Sequence, residues 1–189
     1  DIEAGRRLIA TFNALHNPKA EDPGGLSETQ AEQDPEQATA NAERFDSQQF
    51  VDQQTLGLQY RDAAALPGEL LVNTFFSRRD FAQQLPFPGS NRVAFDRQFY
   101  GVSSQYQQVS TLAGLPLTWV TGVDVHRQSD DRRRYRAEAG VIEAQTQQET
   151  QNATNAAVFA QGDLAVTERL NLSLGGRWDR LRLSIDDQW

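Results

Sequence analysis

Between Arg7 and Ala14 the chain reads RLIATFNA, with Leu8, Ala10, Phe12 and Ala14 on one side and Arg7, Ile9, Thr11 and Asn13 on the other. A period of two is the mark of a β-strand, because successive side chains of a strand point to opposite faces. The same alternation returns over Gln49 to Asp62, Glu69 to Asp80, Val93 to Val109 and Leu117 to Gln128, and then twice more between Asn155 and Asp186. The last two runs flank a tight turn at Thr167-Glu168-Arg169; in the final run Leu170, Leu172, Leu174, Gly176 and Trp178 share one face. The pattern predicts seven strands and an all-β chain.

The polar stretches between them fall into two classes. Residues 15–48 hold Gln, Glu, Asp, Ala and Thr with Pro35 among them, a composition with too little apolar surface for a core, and read as a long loop with at most a helical turn. Residues 81–92 contain Pro86, Pro88 and Gly89 and read as an intermediate loop, and Ser129 to Asn155 reads as a second long one. The other connections are short, so long and short loops alternate without a break. Transmembrane β-barrels have this rhythm, with brief turns on one side of the membrane and long loops on the other. The predicted strands, about 10 to 17 residues, also exceed the five or six of ordinary globular strands. A soluble secreted β-sandwich binding module, such as a lectin-like one, remains the alternative, since alternation alone serves both.

Composition narrows the chemistry. The 189 residues contain no cysteine and no methionine, which removes disulfides and cysteine-ligated metals. His16 and His126 are the only histidines, too far apart for HExxH-type zinc chemistry, so neither a metal nor a cofactor is expected. No apolar run approaches the length of a membrane helix, which leaves a membrane barrel open. The net charge of -8 is uneven: residues 15–48 are strongly acidic, whereas Arg127, Arg132, Arg133, Arg134 and Arg136 make the stretch after His126 basic. One short basic run in an acidic chain is not a nucleic-acid footprint. No GxSxG, P-loop or GxGxxG occurs, and Asp124 and His126, two apart on one strand, project to the same side as lumen hydrogen-bonding groups rather than as a triad with Ser103 or Ser104. Enzymatic function is not expected. The chain lacks an initiator methionine and a leader, and is expected to be a piece of something longer.

Residues 157–187, AVFAQGDLAVTERLNLSLGGRWDRLRLSIDD, resemble the strand pair of TonB-dependent outer-membrane receptors (ferric-siderophore receptors among them), in which an xFxQ-acidic strand, a T-[DE]-R-L turn and an L-x-L-x-x-G-x-R-[YW]-D strand follow one another. Residues 117–128, LTWVTGVDVHRQ, resemble that family's preceding strand. The resemblance implies a 22-stranded barrel in the bacterial outer membrane, closed by an N-terminal plug and importing ferric siderophores, cobalamin or other scarce solutes with energy from the TonB complex. On that reading residues 1–189 are a partial β-barrel domain, about seven strands of a large antiparallel transmembrane barrel with long outer loops, and the plug and remaining strands lie elsewhere. A plug-less outer-membrane channel is a further alternative.

The expected ligand-binding residues are Arg132, Arg133, Arg134, Tyr135 and Arg136, placed in an outer loop, with Arg78, Arg79 and Arg92 flanking the 81–92 loop. Guanidinium groups grip carboxylates with two parallel hydrogen bonds, which suits a small-molecule ligand such as a ferric siderophore. The competing reading is a solvated loop tip, or contact with outer-membrane lipid and the phosphates of lipopolysaccharide. Phe81, Phe87 and Tyr100 could stack on a flat ligand; Tyr60, Trp119 and Trp178 read instead as membrane-interface girdle. Val93, Phe95, Arg97 and Phe99 share one face, so a lipid-facing Arg97 would be costly unless it lies at the outer rim or beside a bulge.

Overall fold

The computed structural model describes residues 4–64 and 66–188. It consists of β1 (Arg6–Glu21), two one-turn helices α1 (Glu28–Gln33) and α2 (Ala40–Phe45), then β2 (Gln48–Asp62), β3 (Glu69–Gln84), β4 (Arg92–Leu112), β5 (Leu115–Glu138), β6 (Val141–Thr167) and β7 (Leu170–Asp187). All seven strands join in one antiparallel sheet in sequence order, each paired with the strand before it. Among the described residues no second sheet covers either face, as a sandwich would require.

The exposure pattern is the reverse of a water-soluble sheet. Along β5, Thr121, Val123, Val125 and Arg127 are exposed, while the alternate residues Gly122, Asp124, His126 and Gln128 are half-buried. Leu56, Phe76, Tyr100, Val102 and Val158 lie on the same open face as Val125, which is 45% exposed, and Leu174 on β7 reaches 80%. The opposite face is concave and mainly polar, with Leu181, Leu183 and Ile185 of β7 exposed on it, and side chains two strands apart meet there. Phe75 of β3 reaches His126 of β5 across β4, with ring centroids 5.7 Å apart. Gly101 between them makes this possible, since a Cβ there would sit 2.3 Å from the imidazole and 2.8 Å from the Val125 carbonyl oxygen.

Strand lengths are where the structure departs from the pattern in the sequence. Residues 129–155, expected as a loop, continue β5 and β6 as a hairpin that turns at Ala139-Gly140, both with positive φ as a two-residue type I′ turn requires. β1 likewise runs on to Glu21 and β3 to Gln84, and Arg92 opens β4. In these extensions both faces carry polar residues, so the alternation that announces a half-buried strand vanishes while the hydrogen-bond ladder goes on. The long and short ends of the sheet therefore differ in how far hairpins project more than in loop length.

The acidic connection of residues 22–47 packs against the projecting hairpin. Ser27 caps α1 in a capping box with Gln30, and Thr39 caps α2, whose Phe45 is buried. Asn91, fully buried, exchanges two hydrogen bonds with the backbone of Ala137, its amide acting as a one-residue strand partner beside the bulge at Arg136/Ala137. These contacts bind the end of the sheet opposite the short turns into one layer.

β1 and β7 present unpaired ladder edges, and the apolar face is uncovered, so this segment on its own lacks partners for both. Circular dichroism of residues 1–189 alone in detergent-free buffer is expected to show no sharp cooperative melt; a single steep transition at low protein concentration would contradict this account.

Candidate functional site

The polar face above the glycine-lined middle carries the densest chemistry. Register places Arg79, Arg97 and Asp130 on one rung, Phe81, Phe95, Arg132 and Glu149 on the next, and Gln83, Val93, Arg134 and Gln147 above that. Phe81 and Phe95 stack with centroids 4.9 Å apart. Arg79 lies over the Phe81 ring at 5.4 Å and Arg97 over the Phe95 ring at 4.7 Å, so each phenyl carries a guanidinium on its flank. Arg97 donates to both carboxylate oxygens of Asp130, at 2.8 and 2.6 Å, and Gln128 donates to the same group at 3.3 Å.

This answers the difficulty over Arg97. The face it shares with Val93, Phe95 and Phe99 is the inward one, opposite Tyr100 and Val102, so Arg97 does not stand on the face of the exposed apolar band. A bidentate pair with Asp130, 1% exposed, neutralises it.

The five-residue basic run is divided by the alternation it sits in. Because residues 132–136 are strand and not loop, Arg132 and Arg134 point to the polar face with Arg79, whereas Arg133 and Tyr135 point to the other. Arg133 is already committed outward, bonded to Asp96 with Asp131 at 3.7 Å. Arg136, beyond the first bulge, pairs with Glu143 at 3.0 Å. Arg78 points outward beside Asp80, and Arg92 lines an outward cleft with Gln48 and Gln84. Of the eight expected ligand residues, then, the fold gathers Arg79, Arg132 and Arg134. Phe81 belongs with them; Tyr100 faces outward and Phe87 is an exposed loop residue.

Lower on the polar face, Arg177 donates to Asp124 at 2.7 Å across β6 and to Asp179 at 2.9 Å, with its guanidinium 5.7 Å from the Phe159 ring. Asp124 and His126 share this face as expected and both reach Ser103: His126 Nε2 lies 3.3 Å from Ser103 Oγ, and Ser103 also hydrogen-bonds the Asp124 carboxylate. Asp124 is held by Arg177 and Ser103 rather than by the imidazole, so it does not orient His126 as the carboxylate of a triad would. Among the described residues no group of three His, Cys, Asp or Glu could hold a metal. The network is a polar wall.

The outward face above the apolar band has its own feature. Asp52, Asp80, Asp96 and Asp131 stand directly opposite one another on four consecutive strands. Like charges so placed oppose pairing, and Arg78 and Arg133 are threaded between them. Burial, and after it the hydrogen bond and charge of Asp96, push the Asp80 carboxyl above its usual range. Asp80 therefore weakens the fold at neutral pH, and the penalty is relieved as pH falls through its raised pKa. Asp80→Asn in the complete barrel is expected to raise the melting temperature at pH 7 and to abolish this acid-side gain. Asp130→Ala should instead lower stability by about 2 kcal/mol, less than the loss of a fully buried pair because Arg97 is 30% exposed. Thermal melts in detergent at several pH values check both, and a destabilised Asp80→Asn would refute the first.

Comparison with known proteins follows the same line. A family model described as TonB-dependent receptor-like, beta-barrel, matches residues 3–189. Among solved structures the chain is similar to the ferric citrate transporter FecA in its unliganded form, with a TM-score of 0.83 and 14% identity. That match covers 98% of this chain and 28% of the solved one, so the chain spans under a third of the structure it resembles.

Proposed function

The chain belongs to the TonB-dependent receptor-like β-barrel family, and from that premise we propose that it forms part of the wall of an outer-membrane receptor that takes up a ferric chelate in anionic form. The family is one of transporters rather than enzymes and resides in the outer membrane of Gram-negative bacteria. On this reading residues 1–189 are a partial barrel domain of about seven strands, the rest of the barrel and a plug that engages TonB being supplied by the remainder of a longer protein. The exposed apolar face meets lipid and the concave polar face lines the lumen.

One observation carries the ligand class: Arg79, Arg132 and Arg134 share the lumen face beside the stacked Phe81 and Phe95, on the side of the sheet where the hairpins project. Glu149 stands opposite Arg132, but its carboxylate accepts from the amides of Gln147 and Gln151, at 2.8 and 2.5 Å. Guanidinium groups over a low-dielectric aromatic floor favour planar carboxylate or catecholate oxygens, and their collective field raises the local concentration of an anion. The ferric citrate carried by FecA, as its name states, is a ligand of this chemistry. Capture at this surface would precede plug movement and passage along the polar wall that includes Asp124, Arg177 and Asp179.

Alternation makes the test sharp. In the full-length receptor, replacing both Arg132 and Arg134 by alanine should weaken binding of an anionic ferric chelate about tenfold or more, the scale of losing charged hydrogen bonds. Arg133→Ala, one residue away and facing outward, should leave it unchanged. Titration calorimetry with ferric citrate and with ferric catecholates reads both, and equal affinity in the double variant and the parent would reject the site.

A further inference from the structure

Gln84 closes β3 at 2% exposure with its carboxamide unpaired: neither Nε2 nor Oε1 finds a hydrogen-bonding group among the described residues. Its main-chain carbonyl accepts from Ser47 Oγ at 3.2 Å, and Gln48 alongside donates to Asp46 instead. A buried amide left in this way is costly, and native folds seldom keep one without a use for it. Register sets Gln84 between Gln48 of β2 and Arg92 of β4, on the outward face, eight residues up β3 from Phe76 of the apolar band. At the ordinary rise of a strand that is about 26 Å beyond Phe76. The row of Asp52, Asp80, Asp96 and Asp131 lies between the two levels.

The carboxamide borders a cleft of about 320 Å³. That volume falls at the lower end of ligand sites and far exceeds what one water fills. Phe50 and Pro18 bring apolar rings to it, Pro18 standing in the β1 bulge between Asn17 and Ala20. Ala82 and Ala94 follow Phe50 on one rung, and their small side chains leave the hollow open. Arg92 also lines it and, among the described residues, has no ion-pair partner, unlike Arg78, Arg133 and Arg136. With no carboxylate in the lining there is nothing to hold a cation, and a single guanidinium is a poor seat for a polyanion. Neutral donor and acceptor chemistry dominates.

Asn91 shows which partner suits a buried carboxamide in this fold. Its Nδ2 donates to the Ala137 carbonyl at 2.8 Å, and its Oδ1 accepts from the Ala137 N–H at 2.9 Å. One residue of extended backbone turns its N–H and C=O to the same side, and a planar carboxamide complements that pair. The connections nearest the cleft, residues 22–47 and 85–91, are held by their own caps and turns and offer Gln84 no such strand. We propose that the Gln84–Arg92 cleft docks an extended segment of a separate cell-surface protein. One backbone residue of that segment pairs with the Gln84 carboxamide as Ala137 pairs with Asn91. The next carbonyl accepts from Arg92, and an apolar side chain rests against Phe50 and Pro18, the division of labour usual in strand-like peptide recognition. The outer-membrane reading enters only in saying that the cleft opens outside the cell; peptide binding by the purified receptor does not depend on it.

The test uses the full-length receptor in neutral detergent and a phage-displayed library of random peptides, selected on the parent and counter-selected on Gln84→Leu. Peptides are expected that bind the parent about tenfold or more tightly than the variant, the scale of two lost hydrogen bonds. Synthesised with blocked ends, they should lose that advantage when one central amide is N-methylated, and an N-acetylglucosamine tetramer should not compete with them. Gln84→Leu should melt no lower than the parent, because the amide it removes had no partner. If no peptide distinguishes parent from variant, or if N-methylation changes nothing, the docking site is overturned. Competition by the sugar at equal concentration overturns the peptide assignment, and a lower melting temperature in the variant overturns the unpaired amide on which the site depends.

Discussion

Hydrocarbon supplies no hydrogen bonds, so a chain that crosses it in extended form has to satisfy each N–H and C=O through a neighbouring strand. Much of this structure follows from that requirement. Seven strands pair consecutively with few register shifts, and the shifts fall in the hairpin ends or near a turn rather than across the apolar band. Side chains are then left with one task per face. Val102, Val123 and Val125 are open because, among the described residues, no second layer covers them. Gly101 and Gly122 thin the inner face where Phe75, His126 and Phe159 crowd together.

Charge is sorted by the same two-residue period. Arg132 and Arg133 are neighbours in the chain, yet one faces the lumen and the other is held by Asp96 on the outside. Arg97, by contrast, is absorbed into the wall through Asp130 and serves to hold β4 against β5. The row of aspartates on the outward face works against pairing and persists only with guanidinium groups interposed. A segment of modest net basicity thus divides into two sets of cations on opposite faces of the sheet, with different partners available to each.

How much of this could be read from residues alone depended on what each strand borders. Where one face is apolar and the other polar, as in Leu117 to Val125 or Leu170 to Trp178, the alternation is plain in the sequence and marks the strand. Where both faces are polar, as in residues 129–155, nothing distinguishes strand from loop except the turn chemistry at Ala139-Gly140. Read as a loop, Arg132 to Arg136 form one cluster; as a strand, the sheet divides them between two faces. The orientation of Arg97 was recoverable in principle: carrying the face of Val125 across to Val102 would have set Arg97 inward. The pairing with Asp130 was not, because register between distant residues is decided by the turn at Ala113-Gly114 and not by either residue. Likewise Asn91 looks like any loop asparagine until Ala137 is brought beside it.

The consecutive order of the strands has a consequence for the history of such a chain. The tightly closed hairpins carry their own register in a local turn, of two residues at Ala113-Gly114 and Ala139-Gly140, and every strand touches mainly the strands on either side. Copying or deleting one whole hairpin within the gene would leave every other pairing intact and preserve the up-and-down parity. Adding a single strand would reverse everything downstream. The architecture therefore changes circumference in steps of two, and a wall of this kind can be widened or narrowed by duplication without redesigning any strand already in it.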